Sequence, residues 1–306
     1  MKISPSPFLR SALALLLVSI ASRHAAAQTE LSAGFPPGSK LYIQPPYAGK
    51  DEARIGGSRE SADDKLRLDI GASADLLNLS WGRVDGGGIA PELPRRTSAV
   101  ALGADFFTWT RLRSVGGFKF PVEAVDYYFG LHAEATFDRA PVPDLRLRVA
   151  HISAHLVDGD PSFSTAQASY QTYSREFIDL MAAADGTRLA RGLFDASRAT
   201  LRPYAGLLWL THTIPDTLGR LNPYVGFDAA WQPWESPLTL RLGYEFRLNT
   251  ELETIGEHEA RLGVKLGRYN SKGITIEGSY YAGRSHYGQH FGRRERYVAL
   301  GFAIDY

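Results

Sequence analysis

The sequence predicts an all-β protein, an antiparallel transmembrane β-barrel of about twelve strands, with ten as the alternative. Three observations predict it. From Lys65 onward apolar and polar residues alternate with period two, the last ten residues form such a strand and stop at an aromatic side chain, and the first 27 residues read as an export signal.

At the N-terminus, Lys2 and Arg10 make a basic start and Ser11 to Ala21 an apolar core. Ala25-Ala26-Ala27 offers small residues for cleavage before Gln28. The core is too short for a spanning helix, which needs roughly 20 residues. Residues 1–27 are therefore expected to be a signal peptide, and the mature chain to reside in the outer membrane. Without Lys2, Arg10 and Arg23 the net charge changes from +1 to −2. This balance argues against a nucleic-acid partner. With no Cys, disulfides, thiolate nucleophiles and Cys-ligated metals are excluded.

Residues 28–64 carry Pro, Gly and charge without sustained period (GFPPGSK, QPPYAGKDEARIGGSRESADDK). They read as a segment in the periplasm or entering the barrel, partly ordered, with Tyr42, Ile43 and Tyr47 able to dock in or under it. Residues 65–306 are assigned to the barrel.

The clearest strand has Leu238, Leu240, Leu242, Tyr244, Phe246 and Leu248 on one face and Thr239, Arg241, Gly243, Glu245, Arg247 and Asn249 on the other. Its length suits a tilted bilayer crossing of about 9–11 residues. Similar runs lie near 66–82, 98–112, 124–137, 144–157, 174–184, 199–213, 220–232, 259–268, 273–284 and 296–306, eleven in all with 237–249. Barrels of this kind normally have an even strand number. The parity slip near Gly71-Ala72-Ser73-Ala74 makes 66–82 the run expected to divide into two. A periplasmic C-terminus makes 138–143, Gln232 to Ser236 and Asn270 to Gly273 short periplasmic turns. The segments 158–172, 250–257 and 285–294 become longer external loops, with 185–198 a long exception. Trp81, Trp109, Tyr204, Trp231, Trp234, Tyr280, Tyr281 and Tyr297 crowd the strand ends and read as interfacial girdles. Lumenal charges are mixed in sign (Glu134, Arg146, Arg148, Asp228, Arg241, Glu245, Arg247, Glu259, Arg261, Lys265, Glu277) and suit either a filled interior or a narrow pore.

In the last run Val298, Leu300, Phe302, Ile304 and Tyr306 share one face. The ending resembles the C-terminal signal by which bacterial outer-membrane barrels are recognised, which implies the barrel-assembly machinery as a partner.

The most suggestive chemistry is His151-Ile152-Ser153-Ala154-His155. In a strand His151, Ser153 and His155 share a face, placing a hydroxyl beside two imidazoles, and a nucleophilic Ser needs a base that is itself oriented. Asp158, Asp160, Glu176 and Asp179 are the candidate orienters, with Glu176 the one assigned. Without a bulge the three residues continue on the lipid side of Leu145, Leu147 and Val149; with one they turn inward. The plain alternative is that they satisfy strand-end polarity or join a lumenal network. His286 and His290, Asp158-Gly159-Asp160 and Gly86-Gly87-Gly88 make weak metal, calcium and phosphate motifs, so no cofactor and no metal is assigned. Arg284, Arg293 and Arg294 make the 285–294 loop a candidate contact for lipopolysaccharide phosphates, or a solvated hairpin.

The His151-x-Ser153 pair resembles that of the outer-membrane lipid A 3-O-deacylases, although Ala154 stands where that family has Asn. A wider set of segments resembles a bacterial outer-membrane family catalogued as domain of unknown function 1207. They are Val125 to Gly130, Leu145 to Arg148 leading into His151 to Leu156, Tyr173 to Glu176, Gly283 to Gln289 and Glu295 to Tyr297. That resemblance implies an outer-membrane barrel and no settled activity.

Three functions are thus in view. One is an envelope-structural or small-solute barrel among outer-membrane lipid and lipopolysaccharide. The second is an outer-leaflet lipid ester hydrolase using Ser153 and His151. The third is a secreted soluble barrel holding an apolar ligand inside.

Overall fold

The computed structural model describes residues 28–33, 41–61, 64–82, 98–138, 142–161, 163, 173–189, 198–233, 236–269 and 271–305. The proposed signal peptide, Gly86 to Gly88, Trp234, Asn270 and Tyr306 lie outside the described residues.

The strands are β1 (Gln28–Ala33), β2 (Gly56–Glu60), β3 (Lys65–Gly82), β4 (Ser98–Arg113), β5 (Val122–Thr136), β6 (Asp144–Leu156), β7 (Tyr173–Ala183), β8 (Ala199–Ile214), β9 (Leu221–Trp231), β10 (Leu238–Asn249), β11 (Ile255–Leu266), β12 (Gly273–Arg284) and β13 (Arg294–Asp305). Every pairing is antiparallel, and β2 to β13 close a twelve-stranded ring in chain order. Closure comes through β2, which pairs with β13 on one side and the first part of β3 on the other. β1 lies against the rest of β3, from Leu77 to Gly82.

The alternation in the sequence becomes an inside and an outside. On β6 Arg146, Arg148, Ala150, Ile152 and Ala154 are buried while Leu145, Leu147 and Val149 are exposed. On β13 Val298, Leu300, Phe302 and Ile304 are 40–69% exposed. Leucines and aromatics that would make the core of a soluble protein stand on the outer wall, which requires an apolar surrounding. The soluble barrel with an apolar interior is thereby overturned.

The mixed charges face inward. Arg148 pairs with Asp179 at 2.7 Å, and Arg261 with Glu277 at 2.7 Å. Residues 41–55 run through this interior. The Ile43 amide donates to Glu134 (2.8 Å) and the Tyr47 amide to Asp228 (2.9 Å). Lys50 pairs with Glu257 (3.1 Å), and Asp51 with Arg175 (2.9 Å) and Arg247. Glu52 pairs with Arg146 (2.6 Å) and Arg148 (3.1 Å), and Arg54 with Glu277 (3.3 Å). The lumen is filled by a strap tied to at least seven strands, because a buried charge is tolerable only when paired.

Four expectations change. Residues 65–82 stay one strand. Their parity slips just after the stretch the sequence singles out, at a register shift between Asp75 and Leu77, so that Asp75 and Asn78 both point inward. The twelfth strand is Gly56–Glu60, five residues without usable period. The aromatic girdle is half real. Trp231 and Tyr280 are exposed on the wall, but Trp109, Tyr204, Tyr281 and Tyr297 are buried in the lumen, where Trp109 donates to the His286 carbonyl at 3.0 Å. The loop asymmetry is also weaker than expected, since β3 and β4, like β7 and β8, are separated by about fifteen residues of sequence at the strand ends nearer Asp305.

Candidate functional site

β6 carries no bulge against β5 or β7, so His151, Ser153 and His155 emerge on the outer wall, above the exposed Leu145, Leu147 and Val149. The band changes from apolar to polar along the strand, toward the end remote from Asp305. Such a transition marks where acyl chains give way to headgroups.

The Ser153 hydroxyl lies 3.2 Å from His155 Nε2. Tyr127, paired opposite Ser153 on β5, meets the His155 ring edge-on at 5.6 Å between centroids. Beside them His151 sits opposite Glu176 of β7, and its Nδ1 is 3.4 Å from Glu176 Oε1. The other Glu176 oxygen is 3.4 Å from His212 Nδ1 on β8. Glu176, His151 and His212 are all half-exposed.

His212 is a residue the sequence did not offer. By simple alternation it would share the lumenal face of the buried Leu208 and Leu210. A register shift between Glu176 and Phe177 leaves Thr211 as an extra residue on β8 and turns His212 outward. Thr211 secures the bulge by donating from its hydroxyl to the Glu176 carbonyl at 3.0 Å. Bulges next to sites often re-aim a side chain in this way.

The outer wall therefore unites all four predicted residues, but not as one relay. Ser153 contacts His155, while the oriented imidazole is His151. Of the other acids considered, Asp179 is lumenal with Arg148, and Asp160 lies 3.4 Å from His290.

The 285–293 loop is not a solvated hairpin. It folds into the mouth of the barrel, with His286, Tyr287 and His290 buried. The Gly288 amide donates to Asp126 at 2.8 Å, and the Gln289 side-chain amide to the Ala154 carbonyl at 2.8 Å. A Cβ on Gly288 would fall 2.2 Å from the Tyr173 ring, so only glycine lets the loop lie this close. Ends of β5, β6 and β7 thus meet this loop at one end of the barrel. His286 and His290 do not converge on a common point: one faces Glu259 at 3.9 Å, the other Asp160. A small cleft, partly open to solvent, lies beside the loop between Lys50, Asp126, Arg175, Glu251 and Arg284.

No protein-family model and no curated protein matches the chain. Among solved structures, outer membrane phospholipase A from Escherichia coli is 14% identical, over 85% of this chain and 93% of that chain, with a TM-score of 0.49. The Salmonella typhi outer membrane phospholipase dimer with bound calcium is 13% identical, over 87% of this chain and 94% of that chain, with a TM-score of 0.50. OmpT of Vibrio cholerae is 8% identical, over 92% and 97% of the two chains, with a TM-score of 0.37. At such identities the likeness is one of fold, that of outer-membrane β-barrels.

Proposed function

We propose that the chain is an integral outer-membrane barrel whose wall carries a lipid ester hydrolase site centred on Ser153. One observation carries the reading: a serine hydroxyl on the membrane-facing surface lies within hydrogen-bond distance of an imidazole, with a second imidazole oriented by a carboxylate beside it. Ser153 Oγ attacks the ester carbonyl of a lipid at the interface, and His155 takes its proton. The ester C–O bond breaks and His155 returns the proton to the departing alcohol. Water then attacks the acyl-serine, again through His155, and releases a fatty acid. His151, held by Glu176, provides positive charge next to the developing oxyanion when protonated.

Passage of solutes is the weaker reading. The interior that would conduct them is crossed by residues 41–55 and closed on ion pairs. The likeness in fold to the Salmonella typhi outer membrane phospholipase is compatible with the hydrolase and does not carry it.

The test is fatty-acid release from phospholipid and from lipopolysaccharide in mixed micelles, measured by mass spectrometry on protein extracted from outer-membrane fractions. Wild type should release acyl chains, and Ser153→Ala should lower the rate by roughly 10³-fold or more. His155→Ala should match it, and Glu176→Gln should cost less. Heat-modifiable gel migration confirms that each variant is folded. Absence of release by wild type from either lipid, or an equal rate in Ser153→Ala, overturns the proposal.

A further inference from the structure

The lumenal wall holds a group of side chains that the outer site does not use. Asp75 on β3, Gly103 on β4 and His132 on β5 form one cross-strand row. Gly103 has no side chain to fill the middle position, and a Cβ there would lie 2.1 Å from His132 Nε2. The imidazole lies over that position and brings Nε2 to 2.9 Å from Asp75 Oδ1. Glu134, two residues along β5, faces the same way, and one ligand atom from each of Asp75, His132 and Glu134 lies within 4.8 Å of the others. All three residues are buried.

The neighbouring groups have the arrangement of a metal site's outer shell. His132 Nδ1 is 3.2 Å from Asp105 Oδ1 on β4. A carboxylate there accepts from Nδ1–H, so that a metal ion can displace the proton between Nε2 and Asp75 Oδ1 and take the Nε2 lone pair. The second oxygens of the two acids are held by the strap: the Tyr42 amide donates to Asp75 Oδ2 (3.1 Å) and the Ile43 amide to Glu134 Oε2 (2.8 Å). Each acid therefore keeps one oxygen for the centre of the group.

Charge favours a cation. Three carboxylates surround one imidazole, and Asp105 Oδ2 is buried without a hydrogen-bond partner. Arg146 and Arg148 stand opposite Glu134 and His132 on β6, but they are turned to Glu52 and Asp179. Among the described residues, no Lys or Arg is within ion-pair distance of Asp75, Asp105 or Glu134. A protonated His132 balances one of the three carboxylates, and a second positive charge at the centre of the group would stabilise the ionised forms of the others.

The geometry points to a divalent transition-metal site of the zinc class formed by His132 Nε2, Asp75 Oδ1 and Glu134. One imidazole and two carboxylates make a borderline-to-hard donor set suited to Zn²⁺ or Mn²⁺ rather than to a soft ion. Ligands about 2.1 Å from a tetrahedral zinc are roughly 3.4 Å apart, so small side-chain rotations close the set. The metal's consequence reaches the strap. Tyr42 and Ile43 hang from the ligand carboxylates, so the ion pins the N-terminal part of residues 41–55 to the wall.

The experiment uses the full chain, without a polyhistidine tag, extracted in detergent, challenged with zinc and desalted. Metal content is read by mass spectrometry, and affinity by competition with a chromophoric chelator. One tightly held zinc per chain is expected in wild type and in a His151→Ala/His212→Ala control. The zinc should be lost in His132→Gln and Glu134→Gln, and Asp105→Asn should weaken it by about 10–100-fold. Removing the zinc from wild type should lower the thermal midpoint and speed proteolysis between residues 41 and 47, a readout that needs no variant to fold. The inference is overturned by wild type that retains no zinc, or by zinc that persists undiminished in folded His132→Gln and Glu134→Gln. A thermal midpoint indifferent to chelator overturns it equally.

Discussion

At the scale of single residues, what matters is which side of a thin wall a side chain meets. His151 and Ser153 were visible from spacing alone, because period two puts them on one face, but the face itself depended on the absence of a bulge in β6. His212 was invisible for the opposite reason, since a bulge at Thr211 reverses its direction. His132 and Glu134 share a parity, yet their chemistry needed the gap at Gly103 and the acids of two neighbouring strands. The buried loop offers a test at this scale. Burial, then Arg293 and Arg111, pushes the His290 imidazole down to about 4, against the opposing pull of Asp160. Its value in an opened or unfolded chain is about 6.5. Between those values the open form binds a proton that the packed form does not, so this contribution is complete above pH 6.5 and is lost as pH falls toward 4. In thermal melts from pH 7 to 4, wild type should lose more stability than His290→Gln. Parallel curves would show that this imidazole is not packed as described.

At the scale of elements, the eleven long strands were readable to within about two residues at most ends because each is long and amphipathic. Pairs such as Leu240 and Arg241 have only one way to face. β2 was not readable. Gly56-Gly57-Ser58-Arg59-Glu60 has no apolar stripe, and it is a strand only because β13 and β3 present unpaired edges on either side. The parity slip in β3 is legible in the sequence but ambiguous, because a break in alternation signals a bulge as readily as a strand end. The outward stripe carries a prediction. Leu262, in the middle of β11, is 63% exposed. If it faces acyl chains, Leu262→Arg should cost about 2–4 kcal/mol in urea unfolding from lipid vesicles, falling toward zero near the strand ends. A change within roughly 0.5 kcal/mol, ordinary for a water-exposed position, would contradict a lipid-facing wall.

For the whole molecule, mixed lumenal charge left pore and plug equally open, because strand periodicity places charges inside without saying what lies between them. Residues 41–55 resolve this through partners more than 90 positions away in sequence, such as Glu52 with Arg146 and Arg148. No local pattern in a Pro- and Gly-rich segment encodes such contacts. Asp51 is central to the strap, since its carboxylate bridges Arg175 and Arg247 while its carbonyl accepts from Arg148. Asp51→Ala leaves two buried guanidinium groups short of a partner, and such a break costs about 3–5 kcal/mol. An Asp51→Ala/Arg247→Met double variant should recover part of that loss, because removing both partners avoids stranding a charge. Unfolding free energies of the two single variants and the double would yield the coupling. Strict additivity would mean that the strap merely occupies the lumen, whereas a coupling above about 1 kcal/mol would mean that its charges hold the barrel wall together from within.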